Sequence, residues 1–434
     1  MATQSTPIEF GHSILPFFSF GKKYINLNNG SFGSMPKPVA RFCQELSERV
    51  EANPDRYHRV EFPSLLGSAR ERIAHMIGAE TDECVFVSST TAGMNTILRN
   101  LTWEEGDVLL GFSTTYRGVE RVMRYIADTT SATLVIQDIH FPTSHKIILR
   151  DFRALIQSTK AKQNEYYLRT GIERRPQAVA VIDAIVSQPG IYMPWKEMVE
   201  ICAEEGVYSV VDAAHSIGQE VNINLSQTNP DFWVSNCHKW LFAKRGSTIL
   251  YVPKRNQHLI RSSLVTSWDY VSPSESSESS FVIQHEWPGA IDFAPYLSVE
   301  AAIDFRNLLG GEEAINTYCR DLALRGGKRL AEILRTRLFD ESDNRQMTLN
   351  MVNVELPLSM TPLPQIQDKI NTFFEEKLLY DYNISVVTFY MWNRWWVRCS
   401  AQVWNELSDF DQLGKALTEL CIEATRSILL PEEC

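Results

Sequence analysis

The sequence predicts an α/β fold: a large domain with a mainly parallel seven-stranded sheet, and a smaller α+β C-terminal domain. Between about residues 80 and 255, short β-branched runs alternate with longer helical stretches. These runs are apolar almost throughout, which is typical of strands buried on both faces of a parallel sheet. After about residue 296, long amphipathic helices dominate. We therefore expect residues 1–30 to pack on the small domain, with the large domain at 31–295 and the small domain at 296–434.

The individual elements follow from hydrophobic periodicity and turn residues. The predicted strands of the large domain are 84–87, 107–111, 132–136, 178–182, 208–211, 232–234 and 248–252. Helices are predicted at 93–100, 118–126, 195–205 and 315–337, and strands of the small domain at 351–356 and 395–399. The serine-rich stretch 272–280 is predicted to be a loop. Polar residues follow several strands, at the sheet edge where ligands of such folds bind.

Composition and charge indicate a soluble globular protein and argue against a nucleic-acid-binding or membrane protein. The chain has 434 residues with 44% apolar and 22% charged residues, as in soluble globular proteins. Its net charge of -11 argues against broad nucleic-acid binding. The eight cysteines are scattered, without C-x-x-C pairs or metal-ligand spacing, which favours a reducing compartment and no metal site. No secretory signal or membrane-length apolar segment is visible, so we expect a cytoplasmic protein that contacts no membrane.

The strongest chemical signal is a lysine after one predicted strand and an aspartate at the end of the preceding strand. Lys239 lies in DFWVSNCHKW (231–240), and Asp212 lies in VDAAHS (211–216). A buried lysine can hold an aldehyde cofactor as a Schiff base, and a carboxylate can keep a pyridine nitrogen protonated so that the ring accepts electrons. The pair predicts an enzyme that uses pyridoxal 5'-phosphate (PLP).

A phosphate group needs backbone and hydroxyl donors, which the segment SSTTAGMN (88–95) supplies between a strand and a helix. The alternative is an ordinary helix N-cap. Asn236 and His238, beside the lysine, are placed to donate to the same phosphate. A histidine at a strand end is also compatible with simple packing, so both interpretations stay open.

The cofactor ring needs a stacking partner and a partner for its phenolic oxygen. Tyr116, after the second strand, is placed to stack on the ring, although a core tyrosine fits the same pattern. Ser187 and His215 each follow a strand and are placed to reach the phenolic oxygen.

A substrate carboxylate needs a cation. Arg398 lies in the apolar stretch WWVRCS (395–400), where a charge is costly without a partner. A bidentate carboxylate is a natural partner, and an internal acid is the alternative. The aromatic residues at 389–396 are expected mainly in the core, with some of them at the substrate site.

These residues resemble the class V aminotransferase family of fold type I PLP enzymes, which includes cysteine desulfurases and isopenicillin N epimerase. The likeness is greatest to a fungal-type subgroup that includes hercynylcysteine sulfoxide lyase and an enzyme of loline alkaloid biosynthesis. The segments that carry it are LNNGSFG (27–33), ANPDRY (52–57), SSTTAGMN (88–95), DAAH (212–215), NCHKW (236–240), WPGA (287–290) and RCSAQ (398–402).

The resemblance implies a role for each matching residue. It assigns Lys239 to the bond with the cofactor aldehyde, Asp212 to the pyridine nitrogen, Tyr116 to stacking and Arg398 to the substrate carboxylate. It places Thr90, Thr91, Asn236 and His238 around the phosphate, Ser187 and His215 by the phenolic oxygen, and Asn29, Ser31 and Arg56 near the substrate. It also implies a homodimer in which Gly289 and Ala290 reach the phosphate of the neighbouring subunit.

The chain departs from the family pattern in three places. Ala290 replaces a threonine that many relatives carry, and Arg117 follows Tyr116 where a glycine is expected. The C-terminal part also lacks a cysteine in a glycine- and serine-rich loop of the kind that carries persulfide. A NifS-like desulfurase is therefore disfavoured.

The leading functional hypothesis is a C–S lyase that removes a sulfur leaving group from a cysteine-derived thioether or sulfoxide, giving pyruvate and ammonia. In this reaction Lys239, Asp212 and Tyr116 are catalytic, and Tyr116 protonates the departing sulfur. A decarboxylating, cyclising or epimerising enzyme of secondary metabolism is the alternative, because sequence does not fix which bond at the α-carbon breaks. A non-catalytic scaffold is the third hypothesis, which the combination of Lys239, Asp212 and Arg398 disfavours.

Overall fold

The computed structural model of the protein describes residues 9–261, 263–264, 280–358 and 364–429, so the predicted loop lies outside the described residues except for Ser280. In chain order, the strands of this part of the chain are β1 (Ile25–Asn26), β2 (Cys84–Val87), β3 (Val108–Phe112), β4 (Thr133–Gln137), β5 (Ala178–Asp183), β6 (Ile185–Val186), β7 (Ile191–Tyr192), β8 (Tyr208–Asp212), β9 (Phe232–Asn236), β10 (Thr248–Tyr251), β11 (Met351–Glu355), β12 (Ile384–Ser385), β13 (Val387–Met391) and β14 (Arg394–Ser400).

The α-helices surround these strands. In chain order they are α1 (Asn29–Phe32), α2 (Lys37–Ala52), α3 (Pro54–Arg56), α4 (Phe62–Met76), α5 (Thr90–Asn100), α6 (Arg117–Thr129), α7 (His145–Thr170), α8 (Trp195–Glu205), α9 (Leu225–Thr228), α10 (Ile283–Glu286), α11 (Ala294–Leu308), α12 (Gly311–Leu334), α13 (Pro364–Tyr380) and α14 (Leu407–Ala424). Short 3₁₀ helices are His12–Phe17, Thr81–Glu83, Lys254–Leu259 and Asp343–Arg345, and π-helical turns are Tyr57–Glu61 and Thr425–Leu429.

The seven predicted strands of the large domain form one sheet in the order β2-β10-β9-β8-β5-β3-β4. All neighbours are parallel except β10, which runs antiparallel to β2 and to β9. The α/β fold with a mainly parallel seven-stranded sheet is therefore confirmed. The carboxyl ends of β5, β8 and β9 lie side by side in the sheet, which brings the residues that follow them to one edge.

The C-terminal part builds a second sheet in the order β11-β14-β13, with all pairs antiparallel. Its apolar side packs with α12, α13 and α14 in a separate hydrophobic cluster. The short strand β1 pairs in parallel with β12, so residues near the N-terminus contact the C-terminal part. The domain boundaries at residues 30 and 295 stay a prediction. Among the described helices, none has the length and apolar character that crossing a bilayer requires.

Candidate active site

The strand ends converge on a cavity of about 640 Å³ between the large sheet and β13–β14. Many residues named from the sequence line it together. They are Ser31, Thr90, Thr91, Tyr116, Ser187, Asp212, His215, Asn236, His238, Lys239 and Arg398. Residues more than 350 positions apart in the chain therefore share one site.

Lys239 lies on the turn between β9 and β10. Hydrogen bonds to the backbone of this turn hold it in place. The N–H of Cys237 donates to the carbonyl of Ser247 (3.0 Å), and the N–H of Ala243 donates to the carbonyl of Cys237 (3.2 Å). From the N-terminal segment, Asn29 Nδ2 donates to the carbonyl of Lys239 (2.7 Å). The turn presents the lysine side chain to the cavity from a fixed backbone.

Two glycines with positive φ let other segments press directly against this turn. Gly33 has a φ of +67°, and a Cβ built there would lie 1.7 Å from the carbonyl oxygen of His238. Gly218 has a φ of +82°, and its Cβ would lie 2.6 Å from the carbonyl carbon of Trp240. No other residue type fits either position without moving the backbone around Lys239.

The amine of Lys239 is buried beside a histidine. Lys239 Nζ lies 3.0 Å from His215 Nε2, and Trp240 Nε1 donates to His215 Nδ1 (3.2 Å). The pKa of Lys239 is lowered to about 8, mainly by burial; the carboxylate of Asp212 opposes this shift and the cation of Arg398 adds to it. Burial also holds the pKa of His215 well below its usual value. Near pH 7, the neutral, nucleophilic fraction of Lys239 is therefore larger than that of an ordinary lysine.

His238, the residue before Lys239, also lines the cavity. Its Nδ1 lies 3.2 Å from the carbonyl oxygen of Ser247, which can only accept, so Nδ1 carries the hydrogen. Burial lowers the pKa of His238 to about 4, so the ring is neutral and its Nε2 offers a lone pair. The sequence suggested His238 as a phosphate donor. In its neutral form, the single N–H of this ring is already used by the backbone.

Asp212 ends β8, and a second carboxyl lies beside it. Asp183 is the register partner of Asp212 on β5, and both side chains are buried. Burial raises the pKa of both groups, and the charge of Asp212 raises that of Asp183 further. The N–H of Ala214, which donates to Asp212 Oδ1 (3.0 Å), and the charge of Lys239 favour the ionised form of Asp212. Asp212 therefore carries the negative charge of the pair.

Asp183 also anchors the loop that carries Tyr116, a role that sequence reasoning missed. Its Oδ2 accepts from Thr115 Oγ1 (3.2 Å), and the backbone N–H of Tyr116 donates to the same carboxyl group. Thr115 Oγ1 in turn accepts from the N–H of Phe112 at the end of β3 (3.2 Å). The loop between β3 and α6 is thus tied to β5.

We expect Asp183→Ala to destabilise the protein by about 1–3 kcal/mol, because the donors of Thr115 and Tyr116 would lose a buried acceptor. Thermal unfolding measures this change, and kcat measures the accompanying displacement of Tyr116. Asp183→Asn is the matched control, since its amide oxygen keeps the acceptor and its shape mimics the protonated acid. Equal losses in both variants would show that the charge of Asp183, and not the anchoring of the loop, matters.

The phosphate-binding prediction concerns the loop between β2 and α5. Ser89 caps α5, and its side chain accepts from the N–H of Ala92 (3.1 Å). The N–H of Thr90 and the hydroxyl of Thr248 both donate to Asn236 Oδ1 (3.2 and 2.8 Å), which ties this loop to β9 and β10. Thr90 Oγ1 is buried and has no hydrogen-bond partner in the described residues. Ser89 is therefore the N-cap of α5, and the hydroxyl of Thr90 stays available for a phosphate.

Arg398 lies on β14 with 1% of its surface exposed. Its Nη1 donates to the carbonyl of Ser187 (2.6 Å), and its Nη2 donates to Asn28 Oδ1 (2.8 Å) and Ser31 Oγ (2.9 Å). Burial lowers the pKa of Arg398 to about 10, so it is charged at neutral pH. Within the described residues no carboxylate contacts it, so the internal-acid alternative is not supported there. Among the described residues, Arg398 is therefore a buried cation without a carboxylate partner of its own.

The cavity mouth is aromatic. Tyr116 precedes α6 with 51% of its surface exposed, and Phe389 and Tyr390 of β13 line the opposite wall. Arg117, the departure noted in the sequence, begins α6 and also lines the cavity.

Four residues named from the sequence do not line this cavity. Asn29 lies behind it, where it bonds to the backbone of Lys239, so its expected contact with substrate is not supported. Arg56 is exposed on α3 and forms an ion pair with Glu61 (2.9 Å). Gly289 and Ala290 follow α10, and Ala290 instead lines a second cavity of about 370 Å³ with Tyr57 and His58. Within one chain, these last three residues are separate from Lys239.

Comparison with known proteins assigns the family. The class V aminotransferase family model matches residues 25–361. The chain belongs to the class V aminotransferase family. It is 32% identical to "L-cysteine desulfhydrase-like protein lolT1" of Epichloe uncinata, over 98% of both chains. It is 27% identical to hercynylcysteine sulfoxide lyase of Schizosaccharomyces pombe, over 95% of this chain and 98% of that protein.

Solved structures show the same fold for this member of the class V aminotransferase family. The apo structure of a cysteine desulfurase from Thermococcus onnurineus NA1 matches with a TM-score of 0.72. It covers 98% of this chain and 100% of that chain at 16% identity. The fold is therefore that of the fold type I PLP enzymes, as the resemblance implied.

The cofactor of this member of the class V aminotransferase family is PLP, and the residues present fit it. Lys239 offers a buried amine for the aldehyde, and Asp212 a buried carboxylate for the pyridine nitrogen. The unpartnered hydroxyl of Thr90 lies at the N-terminus of α5, where a phosphate is favoured. The aldehyde, the pyridine nitrogen and the phosphate of PLP would therefore each have a side chain of matching chemistry in this site.

Proposed function

We propose that the protein is a PLP-dependent C–S lyase that eliminates a sulfur leaving group from the β-carbon of a cysteine-derived amino acid. The observation that carries this proposal is the pairing, in one cavity, of the buried amine of Lys239 with the buried cation Arg398. An amine for the cofactor and a cation for a carboxylate together select an amino-acid substrate. The relatives named as a desulfhydrase-like protein and a sulfoxide lyase favour cleavage of a C–S bond.

Arg398 sets the orientation of the substrate. Its Nε–H has no partner in the described residues, and its Nη groups are held by Ser187, Asn28 and Ser31. A carboxylate is the anion that a guanidinium binds with two parallel hydrogen bonds. Fixing the carboxylate there directs the α-carbon toward Lys239 and the side chain toward the cavity mouth.

The proton transfers follow from three side chains. When bound, PLP supplies a ring that stabilises negative charge at the substrate α-carbon. Asp212 keeps a proton on the ring nitrogen, and Lys239, once free, takes the proton from the α-carbon. As the C–S bond breaks, the sulfur leaves with its electron pair and takes a proton from the hydroxyl of Tyr116. The released three-carbon enamine hydrolyses to pyruvate and ammonia.

The proposed assembly is a homodimer with shared sites. Arg56 and Ala290 lie away from Lys239 but close to one another in the fold, since Ala290 lines a cavity with Tyr57, which follows Arg56. We propose that this region serves the cavity of a second subunit, with Gly289 and Ala290 near the phosphate bound there.

We also propose a cytoplasmic location. The cysteines in the described part of the chain are all buried and unpaired, as is typical of proteins in a reducing compartment.

The experiment that tests the function is a substrate panel. Purified protein with PLP is incubated with cysteine, with cysteine thioethers and with their sulfoxides, and pyruvate and ammonia are measured together with carbon dioxide. We expect pyruvate and ammonia in equal amounts from at least one sulfur substrate. Serine and alanine are the matched controls, because serine has a poorer leaving group and alanine has none. Carbon dioxide without pyruvate across the panel would replace the lyase with the decarboxylating alternative.

A further inference from the structure

The two histidines beside Lys239 are held in opposite tautomers by partners of fixed hydrogen-bonding type. The indole N–H of Trp240 can only donate, so His215 Nδ1 accepts, and the hydrogen of the neutral ring lies on Nε2. The carbonyl of Ser247 can only accept, so in His238 the hydrogen lies on Nδ1. Between these two neutral rings, only His215 presents an N–H toward the amine of Lys239.

The tautomer of His215 decides which form of Lys239 fits the site. With hydrogen on Nε2, His215 donates to Nζ over 3.0 Å, which requires the lone pair of a neutral amine. If Lys239 were an ammonium group at the same place, its N–H and the Nε2–H of His215 would both be donors, and no hydrogen bond could form between them. To accept from an ammonium group, His215 would move its hydrogen to Nδ1 and so oppose the N–H of Trp240. The two contacts are therefore coupled through one ring.

We propose that Trp240 is a positioning residue: its indole N–H fixes His215 as the Nε2–H tautomer, and His215 thereby presents Lys239 as a free amine ready to capture the cofactor. This inference rests on the proposed use of Lys239 but goes beyond it, since it assigns a function to a tryptophan that lies outside the cavity. The lowered pKa values of His215 and Lys239 agree with it.

Other charges also act on this amine. Asp212, at the end of β8, favours the ammonium form, and Arg398, from β14, opposes it. His238 is on the same turn, and its low pKa keeps it neutral. Because the indole N–H of Trp240 donates to His215 and not to any of these groups, a change at Trp240 that leaves them in place isolates the contribution of the His215 tautomer.

The test compares Trp240→Phe with Trp233→Phe. Trp233 is equally buried and lies seven residues earlier, on β9. Its indole N–H has no partner in the described residues, so it is a matched control for the loss of an indole. The full-length holoproteins are stripped of cofactor, and ¹⁵N spectra of labelled histidine are recorded from about pH 6 to 9, where an ordinary imidazole titrates. His215→Gln assigns the signal.

We expect wild-type His215 to keep its hydrogen on Nε2 throughout. In Trp240→Phe, the hydrogen should move to Nδ1 as Lys239 becomes protonated, and Trp233→Phe should match the wild type. Wild-type His215 with hydrogen on Nδ1 would overturn the proposal. This measurement on the wild type alone decides the matter even if Trp240→Phe does not fold.

A second measurement determines, at several pH values, the rate at which the cofactor-free proteins bind added PLP. The visible absorption band of the bound cofactor reports this rate. The wild-type rate should rise with a midpoint near about 8. In Trp240→Phe the midpoint should move up by roughly half to one pH unit, the equivalent of one net hydrogen bond. An unchanged or lower midpoint would contradict the proposal. Neither readout depends on which substrate bond breaks, so failure of the lyase assignment would leave both results intact.

Discussion

Replacing Lys239 with alanine should abolish cofactor capture and lower pyruvate formation by about 10³-fold or more, because the covalent anchor and the α-carbon base are lost together. The amine is buried, stands 3.0 Å from His215 and has its pKa lowered to about 8, so no other group in the cavity offers the same nucleophile. The absorption band of the protein after PLP addition and dialysis measures the first effect. A pyruvate assay measures the second.

Two variants serve as controls for this result. Lys239→Arg keeps a cation but has no primary amine, so it should behave like alanine. Lys254→Ala removes an exposed lysine of a neighbouring segment and should behave like the wild type. Borohydride reduction of the holoprotein followed by peptide mass spectrometry should locate the PLP adduct on the peptide with Lys239. An adduct elsewhere, or a protein that ignores PLP, would favour the non-catalytic scaffold.

Replacing Arg398 with methionine should lower kcat/KM for the sulfur amino acid by about 10²-fold to 10³-fold, the usual loss when one partner of a buried ion pair is removed. Arg398 is held by Ser187, Asn28 and Ser31, with no acid among its contacts in the described residues. We propose that the carboxylate of the substrate binds this cation, so the variant should lose its preference for substrates that carry a carboxylate. Steady-state kinetics with each amino acid and with its decarboxylated amine measure that preference.

The matched variants for Arg398 separate charge from geometry. Arg398→Lys keeps the charge but loses the planar pair of donors, so its loss should fall between those of wild type and methionine. Arg394→Met removes an exposed arginine of the same strand, which pairs with Glu355, and should leave kcat/KM unchanged. If Arg398→Met lost activity equally toward the amino acid and the decarboxylated amine, Arg398 would have a structural role only.

The sequence was informative wherever chemistry depends on a position at a strand end. Asp212 ends β8 and Lys239 follows β9 in the same sheet, and Ser187 lies four residues beyond the end of β5, so their meeting in one cavity follows from the strand assignment. Arg398 was recognisable because a charge inside an apolar strand demands a partner. These residues can be predicted from the local sequence pattern together with the rule that the carboxyl ends of parallel strands meet at one edge of the sheet.

The remaining features depend on contacts that no local pattern contains. Asp183 is important because β5 and β8 pair in a register that sets it beside Asp212, and strand register is not visible in a single sequence. In the sequence, Trp240 is only the residue that follows Lys239. Its hydrogen bond to His215 becomes visible only in the folded structure. The family resemblance places Asn29 near the substrate, whereas its side-chain amide donates to the backbone of Lys239.

The tight packing behind Lys239 has a consequence for how this protein tolerates change. Because the carbonyl of His238 lies where any β-carbon at position 33 would be, a single added methyl group would push the lysine-bearing turn toward the cavity from behind. Inactivating variation should therefore arise at Gly33 and Gly218, in segments distant along the chain from the turn they support. An engineer who redesigns only the cavity walls for new substrates keeps this rear support intact, whereas random mutagenesis of the whole chain will repeatedly damage it.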